Sequence, residues 1–271
     1  DNGILNSNFY IETKNKKYIL RIYEANRIVD EEKQELILLD KIASFIPVSI
    51  AIKNVDNEYI SVFNNKKFAL FEYINGNVVS EIDTHIIREI AMKLGKLHSF
   101  SKDFSFEEYN RKTRIDFDFY YNEIKNLEID FKFKNELLNL ADEVSKYDFS
   151  TLPSGIIHGD IFPDNVLLDE YNNIKVIFDF NESYCGPFIF DIAIIINFWI
   201  KINDFDFFNE SNFIRDFLNY YSKYRKIEKE ELKRIVLSRK NLILLENNTS
   251  LGAITKYLLS KNRYFIAFES K

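Results

Sequence analysis

The run Ile156-Ile157-His158-Gly159-Asp160-Ile161-Phe162-Pro163-Asp164-Asn165, together with Val176-Ile177-Phe178-Asp179-Phe180, decides the fold of this chain. It supplies an Asp, an Asn five residues later, and a second Asp at the end of an apolar run. Between Asn165 and Asp179 lie two short apolar runs, Val166-Leu167-Leu168 and Ile174-Lys175-Val176-Ile177-Phe178, around the polar Asp169-Glu170-Tyr171-Asn172-Asn173. Apolar runs flanking a short polar turn predict an antiparallel hairpin. Asn165 immediately precedes the first strand and Asp179 immediately follows the second. The two are therefore expected side by side at the open end, where one divalent cation can touch both. Asp160 sits one loop upstream, near enough to face a bound substrate.

This is the inventory that phosphoryl transfer from ATP requires. One carboxylate accepts the proton of the attacking hydroxyl, and an Asn oxygen and a second carboxylate hold the magnesium that clamps the phosphates. Protein kinases space these parts as H-R-D-x-x-x-x-N and D-F-G. Here they are spelled H-G-D-x-x-x-x-N and D-F-N. Each fragment alone is also an ordinary turn or strand-end cap. The joint order of base, amide and carboxylate, with a hairpin between the last two, carries the reading.

Composition sets the outer bounds. A chain of 271 residues accommodates one large domain or two lobes. With 46% hydrophobic and 29% charged residues it supports both a core and a polar surface. The net charge of -6 and the absence of a basic stripe interleaved with aromatics argue against a nucleic-acid partner. Cys185 is the one cysteine, so no intrachain disulfide forms, and His85, His98 and His158 are too scattered for a structural zinc site. The chain opens Asp1-Asn2-Gly3 without a charged-then-apolar leader, and its longest apolar run, residues 192–199, is too short for a bilayer. These features predict a cytoplasmic protein with no membrane partner.

The pattern along the chain changes character once. Phe9-Tyr10-Ile11, residues 18–23, 59–63 and 68–73 read as strands, with a helix over 30–45 among them. From Asp83 onward helices are expected over 84–98, 116–127, 134–145, 188–202, 211–224, 229–246 and 249–260, with one embedded hairpin. Strands first and helices afterwards predict an α+β fold of two lobes, with a ligand cleft between them. Asn75-Gly76-Asn77 is the best turn signal at the change. The predicted division is a nucleotide-binding lobe over 1–74 and a helical lobe over 75–271.

Further residues fit a nucleotide site. Gly3-Ile4-Leu5-Asn6-Ser7-Asn8-Phe9 opens the first strand pair, and its small polar residues suit a loop facing phosphates, although a plain turn looks the same. Arg21 on the next strand and Glu35 on the following helix match the basic residue and helix Glu that kinases pair beside the α- and β-phosphates; two unrelated surface charges fit the spacing equally well. Phe68-Ala69-Leu70-Phe71-Glu72-Tyr73-Ile74 leaves the first lobe, exposing backbone near Glu72 and Ile74 to an adenine edge. Asp191 is a helix cap or a brace for the loop around His158 and Asp160, and His158 itself is expected to fix that loop rather than act as the base. Trp199 reads as core.

These residues resemble the aminoglycoside phosphotransferase and choline kinase superfamily, whose members share the bilobal protein-kinase-like fold. Within it the chain is most similar to bacterial homoserine kinases of the phosphotransferase-like type. The resemblance rests on Gly3-Ile4-Leu5-Asn6-Ser7-Asn8-Phe9-Tyr10, Tyr18-Ile19-Leu20-Arg21-Ile22-Tyr23-Glu24, the run from His158 to Val166, and Asp191-Ile192-Ala193-Ile194 with Asn197-Phe198-Trp199. It implies Asp160 as catalytic base, Asn165 and Asp179 as metal ligands, and Asp191 as the brace of the catalytic loop. It also implies ATP and Mg2+ as cofactors and a small-molecule hydroxyl acceptor, homoserine first. Aminoglycoside, choline or sugar acceptors are the alternatives. An inactive nucleotide-binding scaffold would predict loss of Asp160, Asn165 or Asp179, and all three are present. For a homoserine acceptor, Glu182 is the candidate for the ammonium and Arg239 for the carboxylate, against the reading of both as solvated surface charges.

Overall fold

The structure, a computed structural model, describes residues 6–24, 29–102, 148–200 and 207–232, with Tyr109 and scattered positions between 122 and 146. The expected helices over 116–127 and 134–145 fall largely outside these residues. The one over 249–260, most of that over 229–246 and Arg239 fall wholly outside them.

The first lobe is a twisted antiparallel sheet with a helix packed on it. Strands β1 (Asn6–Glu12) and β2 (Lys17–Tyr23) form a hairpin whose turn is closed by Thr13, and helix α1 (Val29–Ile42) follows. Strands β3 (Ala51–Ile52), β4 (Ser61–Phe63) and β5 (Lys66–Glu72) complete the sheet. β5 is central: β2 pairs along one edge, while β3 and β4 share the other in tandem. Leu36, Leu39 and Ile42 of α1 are buried against it at helical spacing.

The second lobe begins with β6 (Asn77–Val78) and α2 (Thr84–Ser101). Asp83 caps α2 by accepting a hydrogen bond from the Ile86 amide at 2.8 Å. Ile87, Ile90, Ala91, Leu94 and Leu97 form its buried stripe, and His98 lies on the same stripe. The helix packs against α4 (Phe207–Tyr221) across Gly95, where a Cβ would come within 2.8 Å of the Tyr221 carbonyl oxygen. Between these helices in sequence come β7 (Ser154–Ile157), β8 (Val166–Leu168), β9 (Ile174–Ile177), β10 (Tyr184–Pro187) and α3 (Ile189–Ile194), which runs on as a π-helix, Ile195–Ile200.

The expected hairpin is present, with Asp169 closing its turn through the amides of Tyr171 and Asn173. The expectation of one hairpin in an otherwise helical lobe is corrected. β6 adds a third strand to β8, and β7 pairs with β10 in a separate two-stranded sheet. Ser154-Gly155-Ile156-Ile157 and Tyr184-Cys185-Gly186-Pro187 lack alternation and carry Gly and Pro, so their strand character comes from pairing with each other. The helix expected over 188–202 is present over Ile189–Ile200, its second half at π-helical pitch, and residues 201–202 lie outside the described residues.

The nested pairing has a consequence. β7 pairs with β10 outside, and β8 pairs with β9 inside. The two connecting loops, residues 158–165 and 178–183, are thereby anchored at both ends and face each other. The lobes join at the same place: the Ile177 amide donates to the Pro47 carbonyl at 2.9 Å, beside a Val48–Ile177 bridge.

Gly95→Ala should destabilise the protein by about 1–3 kcal/mol, because backbone cannot yield as a side-chain tip does. Urea unfolding monitored by circular dichroism measures this; an unchanged midpoint would contradict the close approach of α2 and α4.

Candidate active site

The site is built on the two facing loops. Gly159 takes φ +77°, a left-handed conformation, and a Cβ there would lie 2.6 Å from the Glu182 carbonyl oxygen. Glycine at this position lets the loops touch. His158 bridges them: its Nε2 lies 3.1 Å from the Phe178 carbonyl oxygen and its Nδ1 lies 3.2 Å from the Asp160 amide. A carbonyl can only accept and an amide can only donate. His158 is therefore the neutral tautomer with its proton on Nε2. Burial pushes its pKa below the ordinary value, consistent with that neutral form.

Asn165 is buried and reaches back to the base candidate. Its Nδ2 lies 2.7 Å from the Asp160 carbonyl oxygen and 2.9 Å from Asp160 Oδ2. Both partners are acceptors, which fixes the amide orientation and turns Oδ1 the other way. The Phe178 amide donates to the Asn165 carbonyl at 3.1 Å, so Asp179 follows directly after Asn165's own partner in the ladder. Asp179 sits in the left-handed region at φ 63°, and the Asn181 Nδ2 donates to its Oδ1 at 2.5 Å. Asp160, Asn165 and Asp179 thus converge where the hairpin opens. Glu182 lies in the adjoining turn and is partly exposed.

Asp191 holds the loop from beneath. It is fully buried in the first turn of α3, and accepts from the amides of His158 at 2.8 Å and Gly159 at 2.9 Å. His98 Nε2 lies 3.0 Å from the same carboxylate. Burial alone would raise the Asp191 pKa, but these donors outweigh it and hold the group ionised, below the usual carboxylate range. Trp199, read from sequence as core, is buried and also donates Nε1–H to the Ile161 carbonyl at 2.7 Å.

In the first lobe the structure brings Arg21 and Glu35 together at 3.5 Å, with Glu35 1% exposed, and Arg21 also reaches Asn8 Oδ1 at 3.4 Å. Lys67 and buried Glu32 make a second sheet-to-helix pair at 3.7 Å, one turn earlier on α1. The expected phosphate loop is corrected in part. Asn6, Ser7 and Asn8 belong to strand β1, paired with Tyr23, Ile22 and Arg21, and Ser7 donates its hydroxyl to Glu24. Strand pairing with β2 consumes alternate backbone groups; among the described residues β1 lies at the sheet edge, so the others point away from β2. Glu72 closes β5, where its carboxylate meets Lys16 at 3.1 Å. The β3 partner stops opposite Phe71, leaving the chain from Glu72 to Ile74 beyond the pairing on that edge.

Sequence reasoning missed His98, Asn181 and Lys67. His98 carried a legible signal, a polar residue on the apolar stripe of an amphipathic helix. Cys185 offers no nucleophile, since burial pushes its thiol up to about 11.

His98 and His158 are buried and neutral, with pKa values lowered from 6.5. The unfolded chain protonates both below that pH while the native state does not. Stability should therefore be full above pH 6.5 and fall below it, by about 1.4 kcal/mol per pH unit for each imidazole. Urea titrations from pH 7.5 to 5 check this, and a His98→Gln/His158→Gln double variant should show the shallower slope.

The chain is similar to known kinases in sequence and in fold. A homoserine kinase of Zymomonas mobilis is 28% identical over 273 residues, covering 96% of this chain and 78% of its own length. A homoserine kinase of Bartonella tribocorum is 28% identical over 246 residues, covering 88% and 74%. Among solved structures, an amicoumacin kinase in complex with AMP-PNP, Ca2+ and Ami superposes with a TM-score of 0.72 at 16% identity, covering 96% of this chain and 79% of its own. A spectinomycin phosphotransferase bound to ADP and spectinomycin gives 0.66 at 15% identity, covering 94% and 85%. These two show the α+β bilobal fold. The family model described as "Phosphotransferase enzyme family" matches residues 1–230, and the chain belongs to that family.

Proposed function

We propose that this enzyme transfers the γ-phosphoryl group of ATP to the hydroxyl of a small metabolite, with homoserine as the acceptor. The observation that carries the reading is the Asn165 amide bonded to Asp160 at the mouth of the hairpin that ends in Asp179. Asp160 is the base that receives the hydroxyl proton as the acceptor oxygen attacks phosphorus. With its amide nitrogen committed to Asp160, Asn165 offers Oδ1 outward. Asp179 gives one oxygen to Asn181 and offers the other. Hard oxygen donors of this kind suit Mg2+, which would neutralise charge on the phosphates. His158 and Asp191 keep the loop in place.

Residues 1–74 form the nucleotide lobe on this reading, with Arg21, oriented by Glu35, on the phosphates. The outward backbone of β1 at Asn6, Ser7 and Asn8 lies over them, and the backbone from Glu72 to Ile74 takes the adenine edge. Residues 75–271 carry the catalytic and acceptor groups, with Glu182 for the ammonium of homoserine and Arg239 for its carboxylate. The homoserine assignment draws its support from relatives that share 28% of their residues across most of the chain.

The test is a substrate screen with coupled ADP detection, offering homoserine, choline, a sugar and an aminoglycoside. Homoserine should be phosphorylated fastest; strong preference for another acceptor would replace it while leaving the chemistry in place. Asp160→Asn should lower kcat by about 10²–10⁴-fold with the fold retained, and turnover within twofold of the parent would remove Asp160 as the base. Asp179→Asn should raise the Mg2+ concentration needed for half-maximal activity, and EDTA should abolish turnover in the parent.

A further inference from the structure

A chain of buried polar contacts runs from the Asp160 loop through the helical lobe to residue 231. Asp191 receives His98 Nε2 at 3.0 Å. His98 Nδ1 lies 2.7 Å from the Tyr221 hydroxyl, and Arg225 Nη1 donates to that hydroxyl at 2.9 Å. Arg225 Nη2 meets both oxygens of Glu231 at 2.7 Å, and Glu231 also accepts from the Glu228 amide at 2.9 Å. All five side chains are 7% exposed or less. Phe188 packs against both His98 and Arg225, with its ring 4.6 Å from the imidazole and 4.3 Å from the guanidinium.

The direction of every bond follows from donor chemistry. The ionised Asp191 can only accept, so His98 carries its proton on Nε2 and donates it there. Burial holds His98 neutral, which leaves Nδ1 bare and turns the Tyr221 proton toward it. Arg225 can only donate, so the Tyr221 oxygen accepts from it, and burial raises the Tyr221 pKa so that the hydroxyl keeps its proton. The chain is a polarised relay ending on the carboxylate that fixes the His158 and Gly159 amides.

We propose that His98, its tautomer set by Asp191 and matched by the Tyr221–Arg225 pair, is a positioning residue for the Asp160 loop, so that residues 221–231 govern turnover. The other tautomer would set a bare nitrogen against a buried carboxylate, and Asp191 would lose one of its three donors. The effect on turnover rests on the reading of Asp160 as the base; the tautomer and the loop anchoring do not.

The experiment compares His98→Leu, His98→Gln and Tyr221→Phe with the parent. Gln Nε2 can still donate to Asp191, whereas Leu fills space without donating. We expect His98→Leu to lower kcat by about 30-fold or more with KM values within about twofold, and His98→Gln to recover at least about tenfold of that loss. Tyr221→Phe should give an intermediate loss. In parallel, ¹⁵N NMR of the parent should show His98 protonated at Nε2. Hydrogen exchange of the His158 and Gly159 amides should accelerate in His98→Leu but not in His98→Gln, with β5 amides unchanged. Protonation at Nδ1 in the parent, or equal kcat and exchange in the Leu and Gln variants, would overturn the proposal. A parent that phosphorylates no acceptor would overturn the kinase reading, while the NMR and exchange results would still decide the relay.

Discussion

The structure depends on one buried carboxylate. Removing an unpaired Asp from water costs several kcal/mol, and Asp191 offsets this with donors drawn from two distant parts of the chain, the 158–160 loop and α2. A charge satisfied in that way is also a constraint. The loop cannot shift without stripping donors from a buried anion, so the backbone at His158 and Gly159 is held far more firmly than an exposed loop would be. Asp160 is the next residue, and its amide is itself tied to His158.

The same economy explains how two facing loops become one site. β7 with β10 and β8 with β9 close both loops at their roots, and glycine at 159 removes the one side chain that would keep them apart. His158 then spans the gap, joining the Asp160 amide to the Phe178 carbonyl. The hairpin strand that delivers Asp179 also accepts the first lobe, through Pro47 and Ile177. Arg21 and Glu35 are thereby carried on a sheet-and-helix unit docked beside the hairpin, and their pairing is shielded from water on the Glu35 side. An ion pair buried this way contributes orientation more than stability.

Much of this was legible in sequence, for a physical reason: the informative features are local. An Asp, an Asn and an Asp around two apolar runs and a polar turn specify a hairpin and its open end through strand period and turn chemistry alone. The amphipathic stripe of α2 and the change from strands to helices near residue 75 are of the same kind. Arg21 and Glu35 could be named by spacing, but spacing left unrelated surface charges as an equal alternative until sheet register and helix docking brought them together.

What sequence could not supply were features made by contacts between distant segments. β6, β7 and β10 have no strand signature of their own, because their backbone is satisfied by partners up to 91 residues away, as for Asn77 and Leu168. Asn6, Ser7 and Asn8 read as a loop, since small polar residues favour turns, yet pairing with β2 made them a strand. His98, Tyr221 and Arg225 stand 123 residues apart at the first step of their relay, and nothing in the local pattern joins them. The sequence by itself determined which groups are available for phosphoryl transfer and in what order. Only the tertiary structure decided which of them are buried, which proton each carries and which carboxylate anchors the rest, because burial and hydrogen-bond partners are properties of packed neighbours.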